Sequence, residues 1–165
     1  MITLVRLDER LIHGQIAIKW SRHTGVDRIM VANDAAGTNE TIKKSLLMAA
    51  PSTCKTAIKT VDETLRMLQN PKAANHKILL LVSNPEDLIK VLENAKDIEA
   101  VNIGNYGRIA PKHDGKERQT YRENLYLYPE EADLLKKVKE LGYDAFYQTT
   151  PEEAKESLEK ILEKK

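Results

Sequence analysis

Short apolar segments rich in β-branched residues alternate along this chain with amphipathic segments of helical period. The apolar runs predict strands at residues 2–7, 28–33, 55–59, 78–82, 100–103, 125–128 and 145–148. The amphipathic segments predict helices at 11–22, from 39 to Pro51, from 60, from 84, at 129–142 and from 150. This alternation is typical of an α/β fold with an open, mostly parallel sheet of about six or seven strands and helices on both faces.

Capping signals mark where several of these helices begin. Thr60 followed by Glu63 is a capping-box pattern, and Asn84 followed by Pro85 fits an N-cap and a first helical residue. Residues 104–122 have no clear period and contain three glycines and a proline, so we expect a long loop or a short excursion there. Because long loops in compact domains are often functional, this segment is of interest.

Composition narrows the range of functions. The chain has 165 residues, which suits a single domain spanning 1–165, and 26 basic against 25 acidic side chains leave a net charge of +1. Nucleic acid is therefore not an expected partner. The single cysteine, Cys54, excludes an internal disulfide framework and a cysteine-based zinc site. No run of about 18 apolar residues is present, so we expect the chain neither to span a membrane nor to be secreted.

The segment after the first predicted strand is the strongest candidate site, because ligands of open parallel sheets bind at the carboxyl ends of the strands. His13 falls near a predicted helix start, where free backbone N–H groups and the helix dipole favour an anion. The same field favours a neutral ring, whose lone pair can accept a phosphoryl group. The alternative is a hydrogen-bonded histidine near a turn.

Neighbouring side chains complete the candidate site. Arg10 is suited to bind phosphoryl oxygens, Arg6 to add a second positive charge, and Asp8 to hold the other ring nitrogen of the histidine. Taken singly, each arginine is better explained by an exposed ion pair with Asp8 or Glu9, and only the combination of residues favours a phosphoryl site. Gly14 leaves room beside the nucleophile. The full set is His13, Arg6, Asp8, Arg10, Gly14, Gln15, Asn33 and Asp34.

Asn33 and Asp34 follow the second predicted strand, where their side chains would either tie down the His13 loop or form an ordinary turn. The other histidines, at 23, 76 and 113, fit structural or solvated positions. Basic residues in the long loop suit an acidic partner, a phosphate or solvent: Arg108, Lys112, Lys116, Arg118 and Arg122. Phosphoryl transfer on this set requires no metal or other cofactor, because positioning and positive charge stabilise the loose transition state.

Four segments carry a family resemblance: VRLDERLIHGQIAIKW, VDRIMVANDAA, LLLVSNPEDLIKVLE and VNIGN. In this order they cover residues 2 to about 106. They resemble the enzyme IIB components of the mannose, fructose and sorbose family of phosphoenolpyruvate-dependent sugar phosphotransferase systems. The pattern departs from the family at Asn105, where a second glycine is common, and in the basic, tyrosine-containing stretch that follows.

The resemblance implies a phosphotransferase of the cytoplasm, bound to the inner face of the membrane through IIC and IID subunits. It implies that a IIA subunit phosphorylates His13 at Nδ1, that Arg6 and Arg10 help to hold the phosphate, and that the group passes to an imported sugar. Mannose, fructose, sorbose and N-acetylgalactosamine all remain open as the sugar. A homodimer is also implied.

Two other functions compete with this one. A histidine phosphatase or mutase also has an arginine, histidine and glycine motif after its first strand, but Ile12 stands where that motif needs arginine, and a second catalytic histidine is required. A regulatory module could bind a phosphate or sugar phosphate at the same residues without forming a covalent bond. Phosphate-transfer assays separate the three.

Overall fold

The computed structural model describes residues 1–163. Nine strands are present in this range: β1 Ile2–Leu7, β2 Arg28–Ala32, β3 Lys55–Lys59, β4 Ile78–Val82, β5 Val101–Ile103, β6 Gln119–Arg122, β7 Leu125–Leu127, β8 Ala145–Tyr147 and β9 Glu156–Ser157. Seven α-helices accompany them: α1 Gly14–Thr24, α2 Asp34–Thr38, α3 Glu40–Ala49, α4 Val61–Leu68, α5 Pro85–Asn94, α6 Pro129–Glu140 and α7 Leu158–Glu163. A 3₁₀ turn spans Pro71–Asn75.

Seven strands form one sheet in the order β3-β2-β4-β1-β5-β8-β9. The first six are parallel, and β9 pairs antiparallel with β8 at the edge. The predicted fold class, an open and mostly parallel sheet with helices on both faces, is confirmed. The predicted caps at Thr60 and Asn84 are confirmed, the first as a complete capping box, and Asn39 caps the helix predicted to begin there.

Alternation along the strands divides the core in two. Val5 and Leu7 of β1 pack on the face that is covered by α4, α5, α6 and α7, whereas Leu4 packs on the face covered by α1. Trp20 of α1 is 2% exposed and belongs to this second core. Helix α1 therefore lies on the same face of the sheet as every second residue of β1, starting from Leu4.

Three sequence predictions are wrong in detail. Helix α1 begins at Gly14 rather than residue 11, because Leu11 (φ 58°) is left-handed and its N–H closes a turn onto the Asp8 carbonyl at 2.9 Å. The strand predicted at 125–128 pairs with β6 as a separate two-stranded sheet instead of joining the main one. The last helix begins at Leu158, after β9, and not near residue 150.

The carboxyl ends of β4 and β1 lie at a switch point of the sheet, where a crevice is expected. The two strands are neighbours, yet the connection after β1 leads to α1 on one face and the connection after β4 leads to α5 on the other. This is the place where open sheets bind ligands. Within residues 1–163, no helix combines the length and the apolar character needed to cross a bilayer.

Candidate functional site

His13 lies at the crevice as the N-cap residue of α1. Its backbone is extended (φ −141°, ψ 105°), its side chain is exposed, and it makes no capping hydrogen bond. The first turn of α1 contains no acidic residue. The backbone N–H groups of Gly14 and Gln15 have no acceptor among the described residues, so they and the helix dipole are available to an anion near the ring.

Arg6 lies beneath this surface instead of on it. The residue is 1% exposed. One terminal nitrogen donates to Asn102 Oδ1, both donate to carbonyl groups of residues 148–149 at 3.0 Å, and the guanidinium carbon lies 4.8 Å from the Trp20 ring centroid. Burial lowers the pKa of the guanidinium to about 10, against the opposing effect of Asp8, so it remains charged at neutral pH. Arg6 therefore supports the site through its contacts.

Asp8 connects the two arginines. Its carboxylate, which is 1% exposed, accepts from Arg6 Nη2 at 3.1 Å and from three nitrogens of Arg10. The prediction that Asp8 holds a ring nitrogen of His13 is wrong: the ring has no hydrogen-bond partner among residues 1–163, and both carboxylate oxygens already bind the arginines. Arg10 is about one quarter exposed, and its Nη1 has no acceptor among the described residues.

The loop after β5 is hydrogen-bonded to Asp8 and Glu9, in the segment between β1 and α1. Asn105 accepts from the Glu9 N–H at 2.9 Å through its carbonyl, and its amide donates to Asp8 Oδ2 at 3.1 Å. The Glu9 carboxylate accepts from four consecutive backbone N–H groups, those of residues 107–110, at 3.0–3.2 Å. Sequence reasoning missed both contacts, because the partners are about 100 residues apart.

The unusual basic loop is also tied down. Arg118 donates to both oxygens of Glu131 and to the carbonyls of residues 110–111, and its guanidinium lies 4.4 Å from the Tyr128 ring centroid. Both side chains of this ion pair are less than 5% exposed. Arg108 and Arg122 contact Glu123 O and Glu156 respectively. These arginines are held in intramolecular contacts.

Of the two alternatives for Asn33 and Asp34, the structure favours local hydrogen bonds over contacts with the His13 loop. The Asn33 side chain accepts from Ala36 N at 2.9 Å and donates to Ser83 Oγ at 2.8 Å. Asp34 Oδ1 accepts from Val61 N at 2.9 Å. Both residues stabilise the starts of helices, because short oxygen-bearing side chains at strand ends reach the nearest free N–H groups.

The remaining histidines each have a partner of their own. His23 is in the last turn of α1, with its ring edge-on to Trp20 at 5.8 Å. The His76 Nδ1 lies 2.8 Å from Asp27 Oδ2, and the His113 ring stacks on Tyr128 at 4.6 Å. Among residues 1–163 no three His, Cys, Asp or Glu side chains are grouped so as to hold a metal ion.

Comparisons with known proteins agree on one family. Residues 2–165 match the family model described as "PTS system sorbose subfamily IIB component". A probable phosphotransferase enzyme IIB component of Streptococcus pyogenes serotype M6 is 33% identical over 163 residues, which cover 98% of this chain and 99% of that protein. The mannose-specific EIIAB component of the PTS of Escherichia coli K12 is 38% identical over 105 residues, 63% of this chain and 32% of that longer protein.

Solved structures share the fold. The IIBSor domain of the sorbose permease from Klebsiella pneumoniae superposes with a TM-score of 0.88 at 23% identity, covering 99% of this chain and 97% of the domain. The N-acetylgalactosamine-specific IIB component 1 of Escherichia coli gives a TM-score of 0.83 at 25% identity, with 94% and 98% covered. The family model, the Streptococcus pyogenes relative and both solved structures thus match nearly the whole chain.

Proposed function

Because the chain belongs to the IIB components of the sorbose subfamily of the phosphotransferase system, we propose that it is a phosphohistidine carrier that uses His13. The observation that carries the proposal is the exposed His13 ring at the first turn of α1, which has no hydrogen-bond partner within residues 1–163 and lies in the same short loop as Arg10. The Arg10 Nη1 is free to bind a phosphoryl oxygen while Asp8 holds the rest of the guanidinium.

The transfer has two steps. In the first, a lone pair of the His13 ring forms an N–P bond while the bond between phosphorus and a ring nitrogen of a phosphorylated IIA donor breaks. The electron pair of that bond returns to the donor imidazole, which takes up a proton as the His13 ring releases one. In the second, a sugar hydroxyl oxygen attacks the phosphorus, the N–P bond to His13 breaks with its electron pair returning to the ring nitrogen, and the hydroxyl proton passes to the released imidazole. Arg10 and the first N–H groups of α1 stabilise the charge on the phosphoryl oxygens in both steps.

The proposed partners follow from the family. A IIA subunit or domain would supply the phosphoryl group, and membrane IIC and IID subunits would present the sugar and hold this chain at the inner face of the membrane. The name EIIAB of the mannose-specific relative, which joins an A and a B part, supports a IIA donor. We also propose a homodimer on the family resemblance; a monomer mass in light scattering would contradict it.

The histidine arrangement favours this function over a phosphatase or mutase. Such an enzyme needs a second catalytic histidine beside the first. His23 is at the far end of α1, His76 is paired with Asp27, and His113 is stacked on Tyr128. A protein that only binds phosphate would need the same positive charge, so only a covalent label distinguishes it from a carrier.

The test is phosphorylation from phosphoenolpyruvate through the general phosphotransferase proteins and a matching IIA subunit. Intact-mass measurement should show one added phosphoryl group that is acid-labile and base-stable, and His13→Ala should abolish it. His23→Ala is the matched control and should label normally. An unlabelled wild-type chain, or equal labelling of His13→Ala, would refute the proposal.

A further inference from the structure

We infer that Ser83 is a further catalytic residue, whose hydroxyl donates a hydrogen bond to the phosphoryl group carried by His13. The inference rests on the proposed function and adds a residue that follows β4 and is distant in sequence from the His13 loop. Ser83 is half-buried at the carboxyl end of that strand, on the crevice between β4 and β1.

The hydroxyl oxygen of Ser83 accepts two hydrogen bonds. Asn33 Nδ2 donates to Ser83 Oγ at 2.8 Å, and Asn84 Nδ2 donates to it at 3.3 Å. No described residue accepts a hydrogen bond from this hydroxyl. Since a serine hydroxyl has two lone pairs and one proton, both lone pairs are engaged and the proton is left over.

The orientation of both amides is fixed by the helices that they cap. Asn33 Oδ1 accepts from Ala36 N at 2.9 Å, and Asn84 Oδ1 accepts from Asp87 N at 2.8 Å. A backbone N–H can only donate, so each Oδ1 must face its helix and each Nδ2 must face Ser83. The direction of the two bonds to Ser83 therefore follows from the caps, and the hydroxyl is required to act as a donor.

Strand register places Ser83 beside the His13 loop. Leu7 of β1 is paired with Val82 of β4, and the Asp8 N–H continues the ladder to the Val82 carbonyl at 2.9 Å. Asp8 and Ser83 are thus neighbours on adjacent strands, which run about 4.8 Å apart. Because side chains alternate along a strand, both point to the face where Leu4 and Leu81 pack, and this is the face of α1.

This placement gives the phosphoryl group donors from separate elements. Arg10, held by Asp8, and the first N–H groups of α1 lie in the β1–α1 segment, and Ser83 approaches from β4. Phosphoryl oxygens carry the charge in the loose transition state, so a neutral donor stabilises them without adding a positive charge that would hold the product too tightly. With its lone pairs engaged, Ser83 is suited to donate and unsuited to attack phosphorus itself.

The variants Ser83→Ala and Ser83→Thr test the inference, with Ser45→Ala on the exposed face of α3 as the control. Labelling of His13 from the IIA donor should slow by about tenfold to a hundredfold in Ser83→Ala, the range for losing a hydrogen bond to a charged group. Ser83→Thr, which keeps the hydroxyl, should recover most of the rate. Ser45→Ala should label like the wild type.

A second measurement separates a contact with the phosphoryl group from a purely structural role. Phosphoramidate, a small donor that releases ammonia on transfer, should label His13 without any partner protein, and the ³¹P resonance of the labelled chain should move in Ser83→Ala but not in Ser45→Ala. An unchanged resonance, or a wild-type labelling rate in Ser83→Ala, would overturn the inference alone. A wild-type chain that neither donor labels would overturn the proposed function with it.

Discussion

The Asp8 carboxylate holds Arg10 at three points. Its Oδ1 accepts from the Arg10 backbone N–H at 3.0 Å and from Nε at 3.3 Å, and its Oδ2 accepts from Nη2 at 3.4 Å. The edge of the guanidinium that carries Nε and Nη2 is thus turned inward, and Nη1 is left without an acceptor among the described residues. The arginine is pre-organised to bind an anion before a partner arrives.

Arg10→Ala should slow phosphorylation of His13, because losing one charge-stabilising donor raises the activation free energy by about 3 kcal/mol. Arg10→Lys should recover only part of the rate, because a lysine ammonium cannot hold Asp8 by one edge and bind the phosphate with the other. Initial labelling rates under saturating donor measure both effects. Arg22→Ala, an exposed change in the last turn of α1, is the control. An unchanged rate in Arg10→Ala would remove Arg10 from the site.

Asp8→Asn should destabilise the fold as well as the site. The change leaves the buried Arg6 without its counter-charge, and breaking a buried ion pair from one side costs about 3–5 kcal/mol of unfolding free energy. Urea unfolding followed by circular dichroism measures this loss. Glu140→Gln, an exposed change in α6, should stay within about 0.5 kcal/mol of the wild type. A loss for Asp8→Asn as small as the control's would show that other contacts neutralise Arg6.

Glu9→Ala should release the loop that its carboxylate binds. Removing the acceptor of four backbone N–H groups should raise the amide exchange rates of residues 107–110 by roughly tenfold or more. Amide exchange measured by NMR resolves the four positions. Glu123→Ala changes an exposed side chain of the same region and should leave those rates unaltered. Continued protection of residues 107–110 in Glu9→Ala would mean that the loop is held by other contacts.

Most of the fold was predictable because local patterns determine it. The strands at 55–59 and 78–82 and the capped starts at Thr60 and Asn84 follow from spacing and side-chain chemistry that act over a few residues. The start of α1 was not predictable, because leucine rarely adopts a left-handed backbone and the neighbouring residues do not indicate one at Leu11. The partner of β7 was not either, since pairing depends on contacts far along the chain.

The site divides in the same way. His13 and Arg10 were identified because they lie within one short loop after a strand. The role of Asp8 was misjudged because its partners were set by the burial of Arg6, which the sequence does not state. A buried polar residue within an apolar strand, Asn102, was a local signal of the Arg6 network, since such a side chain must find a partner. Gly104 also belongs to the surroundings of Arg6, because a methyl group at this position would collide with the guanidinium.

The ion pair of Arg118 and Glu131 should make stability fall in acid. Burial raises the pKa of Glu131, but hydrogen bonds from Arg118, Tyr106 and the Tyr128 N–H outweigh it, so the net pKa lies below the ordinary value of 4.5. A depressed carboxyl pKa contributes stability in full above the ordinary value, and this contribution is lost as the pH falls through the lower value of the folded state. The unfolding free energy should therefore decline in acid below about pH 4.5.

Glu131→Gln isolates this contribution. The variant should be less stable at pH 7, because Arg118 is left buried without a counter-charge, and its acid decline should be shallower because the titrating group is gone. Urea unfolding at a series of pH values from 7 to 3 measures both. Glu130→Gln, an exposed neighbour in the first turn of α6, should keep the wild-type decline. Parallel declines in Glu131→Gln and the wild type would show that the acid sensitivity arises from other carboxylates.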